Sequence, residues 1–461
     1  MHCGYVVKVK DLRPHTNADR LQIATFFHND TCVNLDVKEG DIGIYFPSDL
    51  QLSLEYCIEN HLLRKLPDGT PDTGYMEVRT RCVKVIKLRG EKSDGIFMPL
   101  SSLEAFGDIS TLSIGDQITV FNGHEICKKY IPPVRHSHGS ALKSNKKKIN
   151  FAPLFAEHVD TEQLTYNLDD FKPGDQIEIT LKLHGTSQRT GYLPVFKEYK
   201  RTLLDRLFRR QGTPIYEWNY VSGTRRTVLR DYEGGYYGSD LFRETHAKIF
   251  EGKLHKGETV YYEVVGYTDA GVPIMPSANN KKLNDKDFVK MYGDTTNFSY
   301  GCSPSGMKLS DLNCDWTQDL KPISDCYVYR MTMTNEDGVV IDYSPDFMRY
   351  RCEQIGVKTV PVFWKGTIPA EEIFTGVSCE LTDPGEFIRE KAEEFYDGVD
   401  PIGKTHIKEG VVVRIVNRPK FCAYKHKNFE FKVLENIIKL NAEAPDMEEA
   451  DGLEDADTET V

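Results

Sequence analysis

Asp175-Gln-Ile-Glu-Ile-Thr-Leu-Lys182-Leu-His184-Gly185-Thr-Ser187 reads as a strand that runs into a turn. Ile177, Ile179, Leu181 and Leu183 recur at period two, and the His-Gly pair then breaks the pattern. A lysine at a strand end, followed by a turn glycine and two hydroxyls, can point its amine into a nucleotide pocket. Backbone N–H and hydroxyl groups nearby are then available to a phosphate. The same residues also suit a surface lysine before a β-turn, so the reading depends on what the rest of the chain supplies.

Four further features follow in order. Val221-Ser-Gly-Thr-Arg-Arg226 places Arg225 and Arg226 after a small-residue turn. Tyr261-Tyr-Glu-Val-Val-Gly-Tyr267 buries a lone Glu263 in an apolar strand, and Glu409-Gly-Val-Val-Val-Arg414 sets Glu409 at a strand start. Tyr424-Lys-His-Lys-Asn-Phe429 offers Lys425 and Lys427 on one strand face, two residues apart. Each alone fits an ordinary edge carboxylate or a solvated lysine pair; together they make one machine. A lysine with an unperturbed pKa of about 10.4 holds well under ~1% neutral amine at pH 7, so a nucleophilic lysine needs neighbouring cations. Two carboxylates suit Mg²⁺, which takes oxygen ligands and substrate phosphates. Lysines and arginines neutralise the charge that develops on a transferring phosphate.

This ordered set resembles the covalent nucleotidyltransferase superfamily of polynucleotide ligases and capping enzymes over most of residues 175–435. It is most similar to ATP-dependent RNA ligases with histidine in place of aspartate in the lysine motif. Among these, the Deinococcus-type RNA ligases also carry an N-terminal oligonucleotide-binding (OB) domain. The resemblance implies an α+β chain in which an OB-like β-barrel precedes an ATP-grasp-like adenylation domain of antiparallel sheets and flanking helices. It implies ATP and Mg²⁺ (or Mn²⁺) as cofactors and a lysyl–AMP formed on Lys182. RNA with 5′-phosphate and 3′-hydroxyl ends is then the substrate, sealed through an RNA-adenylate at nicks in RNA-containing duplexes, RNA/DNA hybrids included.

By the same resemblance, His184 and Gly185 complete the lysine motif, and Arg225 and Arg226 face phosphate. Glu263 lies near ribose or metal, and Tyr329, in Tyr327-Val-Tyr-Arg330, stacks on adenine. Glu409 is metal-linked, and Lys425 and Lys427 grip the α-phosphate. Two positions depart from the pattern. Leu181 stands where an acid is common, which loosens the choice of ATP over GTP, and Arg330 stands where an acid is frequent. Only a short segment follows the last motif, so the C-terminal OB domain of DNA ligases and capping enzymes is not expected. A DNA ligase, or a non-catalytic RNA-binding protein on a decayed ligase fold, remains the alternative reading.

The 461 residues favour two or three domains. No apolar run is long enough to span a bilayer and no secretory leader is evident, so a cytoplasmic protein without a membrane contact is expected. The eleven cysteines are scattered without C-x-x-C spacing, which argues against zinc sites and disulfides. A formal charge of −12 looks unsuited to nucleic acid until it is located. Ten acids and one lysine fall between Glu435 and Val461, leaving the body at −3. Basic clusters lie at Lys143–Lys148, Lys197–Arg210 and Arg225–Arg226, and local patches, not net charge, govern phosphate contact.

Short strands with frequent turns over the first ~120 residues suggest a small closed barrel. Pro14-His-Thr-Asn-Ala-Asp-Arg-Leu21 resembles the opening of OB barrels that hold tRNA, and Lys87-Leu-Arg-Gly-Glu-Lys-Ser-Asp-Gly95 resembles a loop of OB modules attached to RNA ligases. The expected organisation is an OB domain over 1–125, a basic linker over 126–152, an adenylation domain over 153–435 and an acidic disordered tail over 436–461. Tyr232-Glu-Gly-Gly-Tyr-Tyr-Gly238 lacks the ending of a P-loop and reads as a turn or lid.

Overall fold

A computed structural model describes residues 2–131, 150–305 except 209, 211, 233–236 and 238, then 321–369 and 383–439. The lysine cluster at 143–148, the acidic stretch at 442–461 and most of the glycine-rich run at 232–238 lie outside them. Two compact units emerge. One gathers the residues up to 131 with 278–296 and 428–439; the other holds 150–277 and 297–427.

In the first unit, Gly4–Lys8, Ile42–Phe46, Ile96–Pro99 and Gln117–Ile118 form a four-stranded antiparallel sheet. Arg13–Pro14, Leu21–Phe26 and Asn29–Asn34 form a second sheet of three. Val6, Ile44, Phe46, Tyr56, Leu103 and Ile126 share one buried cluster. No closed ring of strands links these sheets among the described residues. Within the run Met76–Leu88, which is rich in β-branched residues, the strand covers only Val85–Leu88. Arg81, whose N–H donates to the Glu77 carbonyl at 2.9 Å, takes φ +45° and ends the extended path before it. Val85–Leu88 and Glu91–Asp94 then close a hairpin through Arg89 and Gly90, both at positive φ, which suits the right-handed twist of the strands. Segment 278–296 and the helix Phe429–Lys439 join this hairpin through ion pairs. Lys87 Nζ lies 2.5 Å from Asp285, and Lys432 Nζ lies 2.8 Å from the buried Asp94.

The second unit is built on two sheets. The first runs Glu162–Gln163, Cys422–Lys427, Gly410–Ile415, Gln176–Lys182, Val362–Thr367, antiparallel except for its first pair. The second centres on Thr213–Gly223, Thr186–Lys200, Glu258–Gly266 and Ser324–Thr334, all antiparallel. The helix Pro384–Glu393 buries Ile388 and Ala392 against Ile177, Ile179, Val411 and Val413, the apolar alternation on one face of the first sheet. The opposite face of these strands is therefore left for polar side chains. Leu183-His184-Gly185 is the crossing from the first sheet to the second. No helix among the described residues is long and apolar enough to cross a membrane.

Candidate nucleotide-binding active site

The polar face of the first sheet is ordered by its register. Lys182 pairs across Gly410 to Lys427, Thr180 across Val412 to Lys425, and Glu178 across Arg414 to Ala423. A strand rise of about 3.3 Å per residue sets these three rows roughly 7 Å apart. All but Gly410 line one cavity, of about 990 Å³ when the open solvent at its mouth is counted. Gly410 has to be glycine: at φ +148° a Cβ would sit 2.1 Å from the His426 carbonyl and 2.8 Å from the Lys427 Cα. Immediately before it, Glu409 is 1% exposed, with Oε1 2.8 Å from Lys182 Nζ and 3.2 Å from Lys427 Nζ. One buried carboxylate thus compensates two ammonium groups at the end of the sheet.

The crossing loop is fixed to the second sheet. Gly185 N–H donates to Glu263 Oε1 at 3.1 Å, and a Cβ on Gly185 would stand 2.4 Å from the Val264 carbonyl. Glu263 itself belongs to a nine-residue strand that is buried throughout. His184 Nδ1 lies 3.8 Å from Glu409 Oε2, its ring meets Phe298 edge-on at 4.6 Å, and its backbone N–H donates to the Tyr300 hydroxyl at 2.7 Å. The Ser187 and Tyr329 hydroxyls are 2.8 Å apart, and the Tyr329 ring stands 5.0 Å from that of His158 at 63°.

Of the sequence-predicted residues, Lys182, Arg225, Glu263, Tyr329, Lys425 and Lys427 line the cavity, Glu409 and Gly185 contact residues that do, and His184 lies against Glu409. Arg226 is not among the lining residues; it is half exposed and pairs with Asp160 at 3.3 Å, the carboxylate that also holds Arg225. Arg330 is committed elsewhere. It makes a bidentate pair with Asp342 at 2.6 and 2.9 Å and lies over the Tyr261 and Phe421 rings at 4.7 and 4.6 Å. Burial works against its charge, but the Asp342 hydrogen bond and charge outweigh it and raise the pKa.

Sequence reasoning missed His158, Glu178, Thr180 and Arg414 on the cavity wall. The signal was available for three of them, since stepping by two from Lys182 reaches Thr180 and Glu178, and from Gly410 reaches Arg414. Glu178 is held by Arg349 at 3.0 and 2.7 Å. Arg414 lies over Phe421 at 4.9 Å and donates to the Tyr343 carbonyl at 3.1 Å; burial lowers its pKa.

Two largely antiparallel sheets joined by a Lys-x-His-Gly crossing, with a lysine pair on the strand next but one to that of Lys182, form a fold that the chain shares with solved RNA ligases. The solved structures that share it include an RNA ligase of Naegleria gruberi in a lysine-to-alanine variant with ATP and Mn. That match has a TM-score of 0.53 and 15% identity, covering 93% of this chain and 98% of that one. The Naegleria gruberi RNA ligase with PPi matches at TM-score 0.53 and 15% identity over 93% of this chain and 97% of that one. A glutamate-to-alanine variant of the ligase with ATP and Mn matches at 0.53 and 15%, over 94% and 98%. No family model and no curated protein matches the chain.

Proposed function

We propose that the chain is an ATP-dependent RNA ligase that seals 5′-phosphate and 3′-hydroxyl ends. The observation that carries this reading is Glu409 bridging Lys182 and Lys427 beside a cavity that also holds Lys425, Glu263, Arg225 and Tyr329. The likeness in fold to ligases solved with ATP, AMP and Mn supports it.

Lys182 Nζ attacks the α-phosphorus of ATP. The N–P bond forms as the bond to the bridging oxygen breaks, pyrophosphate leaves with the electron pair, and the amine's proton passes to solvent. AMP then moves to an RNA 5′-phosphate, freeing Lys182, and a 3′-hydroxyl displaces AMP to close the strand. Lys425 and Lys427 hold the α-phosphate and offset its growing negative charge, Arg225 takes a neighbouring phosphate, and Tyr329 faces the base.

Glu409 and Glu263 fit a divalent metal of the Mg²⁺ or Mn²⁺ kind. Glu409 Oε2 is buried and accepts no hydrogen bond among the described residues. No cluster of three or more His, Cys, Asp or Glu suited to a metal occurs among the described residues. When bound, such a metal supplies charge neutralisation at the phosphates. Glu409, which would help hold such a metal, also pairs with Lys182, and His184 Nδ1 lies 3.8 Å from its Oε2.

The N-terminal unit is read as an OB-like module that holds the 3′-hydroxyl strand of a nicked, RNA-containing duplex, and the protein as cytoplasmic. Nicked duplexes with RNA or DNA on the 3′-hydroxyl side test this. RNA ends should seal roughly tenfold faster or more; equal rates would overturn the RNA assignment, and no sealing of either would remove the ligase reading.

A further inference from the structure

Phe298 and Tyr300, one short segment apart from every motif used above, meet the nucleophile's loop from behind. The Tyr300 hydroxyl accepts the His184 N–H at 2.7 Å, and the Phe298 ring stands edge-on to the His184 imidazole at 4.6 Å and 78°. Neither is among the residues that line the cavity. The same two rings also touch the loop that carries Glu409. His406, fully buried three residues before Glu409, stands 4.6 Å from Tyr300 at 72° and 5.4 Å from Phe298 at 69°.

That second loop is closed on itself around His406. Asp400 N–H donates to the His406 carbonyl at 2.8 Å, and Asp400 Oδ1 accepts from Ile402 and Gly403 N–H at 2.8 and 2.7 Å. Gly403 passes so near the imidazole that a Cβ there would lie 2.3 Å from its Nε2. On the other side, Tyr300 holds φ +49°, a left-handed backbone that an aromatic residue rarely adopts, followed by Gly301 at φ +81°. The chain therefore accepts local strain to deliver this hydroxyl to His184. Burial pushes the Tyr300 pKa well up, so the hydroxyl keeps its proton while it accepts from the loop.

We propose that Phe298 and Tyr300 are positioning residues: a shared aromatic brace that sets the Lys182–Gly185 loop against the Glu409 loop and so governs the rate of lysyl–AMP formation. The proposal rests on the ligase reading above. It separates the brace from residues that bind ATP, because the brace acts on the placement of the Lys182 amine for its attack on the α-phosphorus. It also separates the first step from the last, in which the Lys182 amine forms and breaks no bond.

The test uses the full chain and Tyr300→Phe, which removes only the hydroxyl. Single-turnover formation of the protein–AMP adduct should slow roughly five- to tenfold, the effect of losing one net hydrogen bond. KM for ATP and the sealing of pre-adenylated RNA ends should stay within about twofold of wild type. Phe298→Leu, which keeps the apolar fill but loses the ring edge, should give the same split. Adduct formation at the wild-type rate in both variants would overturn the brace. So would an equal fall in adduct formation and pre-adenylated sealing together with a lowered melting temperature, which marks a purely structural role. If Tyr300→Phe does not fold, Phe298→Leu decides by the same criteria, and failure of both to fold would likewise overturn it. A wild-type chain that forms no adduct would instead remove the ligase reading itself.

Discussion

Glu409 sits 2.8 Å from the Lys182 amine, buried to 1% exposure and directly ahead of the strand that Lys182 borders. Its second cation, Lys427, is 3.2 Å away, so one carboxylate holds together the nucleophile and a phosphate-gripping lysine. Glu409→Gln preserves the shape but leaves two buried ammonium groups facing each other. Breaking a buried pair by removing one partner costs about 3–5 kcal/mol, so denaturant unfolding should show a loss of roughly 3 kcal/mol. Adduct formation from ATP should fall at least about a hundredfold.

Gly185 has no room for a side chain, since its Cβ would lie 2.4 Å from the Val264 carbonyl and 2.9 Å from the Glu263 Cγ. Gly185→Ala must push the crossing loop off the second sheet and break the 3.1 Å bond to Glu263. We expect a destabilisation of about 1–3 kcal/mol. Adduct formation should fall further than stability alone explains, measured at a temperature where the variant is fully folded.

Arg330 is a structural cation. Asp342→Asn should cost about 3 kcal/mol in unfolding free energy, because it strands a buried guanidinium. The double change Arg330→Met with Asp342→Leu should recover most of that loss, and KM for ATP should move little in the double variant. A large rise in KM would instead give Arg330 a part in nucleotide binding.

His246 provides a pH signature. Burial lowers its pKa to about 4, and its Nε2 lies 2.9 Å from the Ser324 hydroxyl. The unfolded chain takes up a proton near pH 6.5 that the folded chain refuses until about pH 4. Stability should therefore fall as pH drops from about 6.5 to about 4, by up to roughly 3 kcal/mol from this group. His246→Gln should flatten that part of the denaturation profile.

The legible part of this molecule is what strand periodicity exposes. Alternation over residues 175–183 marked the strand, its end at Lys182 and the crossing glycine, and the spacing of Lys425 and Lys427 marked a shared face. Glu409 carried no local sign of its double pairing, because the register that brings Gly410 between Lys182 and Lys427 is a tertiary fact. The same limit hides Phe298 and Tyr300, which reach His184 across more than a hundred residues, with no motif around them. It also hides the association of 278–296 and 428–439 with the N-terminal strands, which brings together residues far apart in sequence such as Lys87 and Asp285.

The central claim is that Lys182 is adenylated. The most direct measurement incubates the full chain with ATP and Mg²⁺, digests it and locates AMP by mass spectrometry. The expected result is AMP on Lys182 through an acid-labile N–P bond, with pyrophosphate released and the modification absent in Lys182→Met. No adduct, or one that persists in Lys182→Met, would contradict the account.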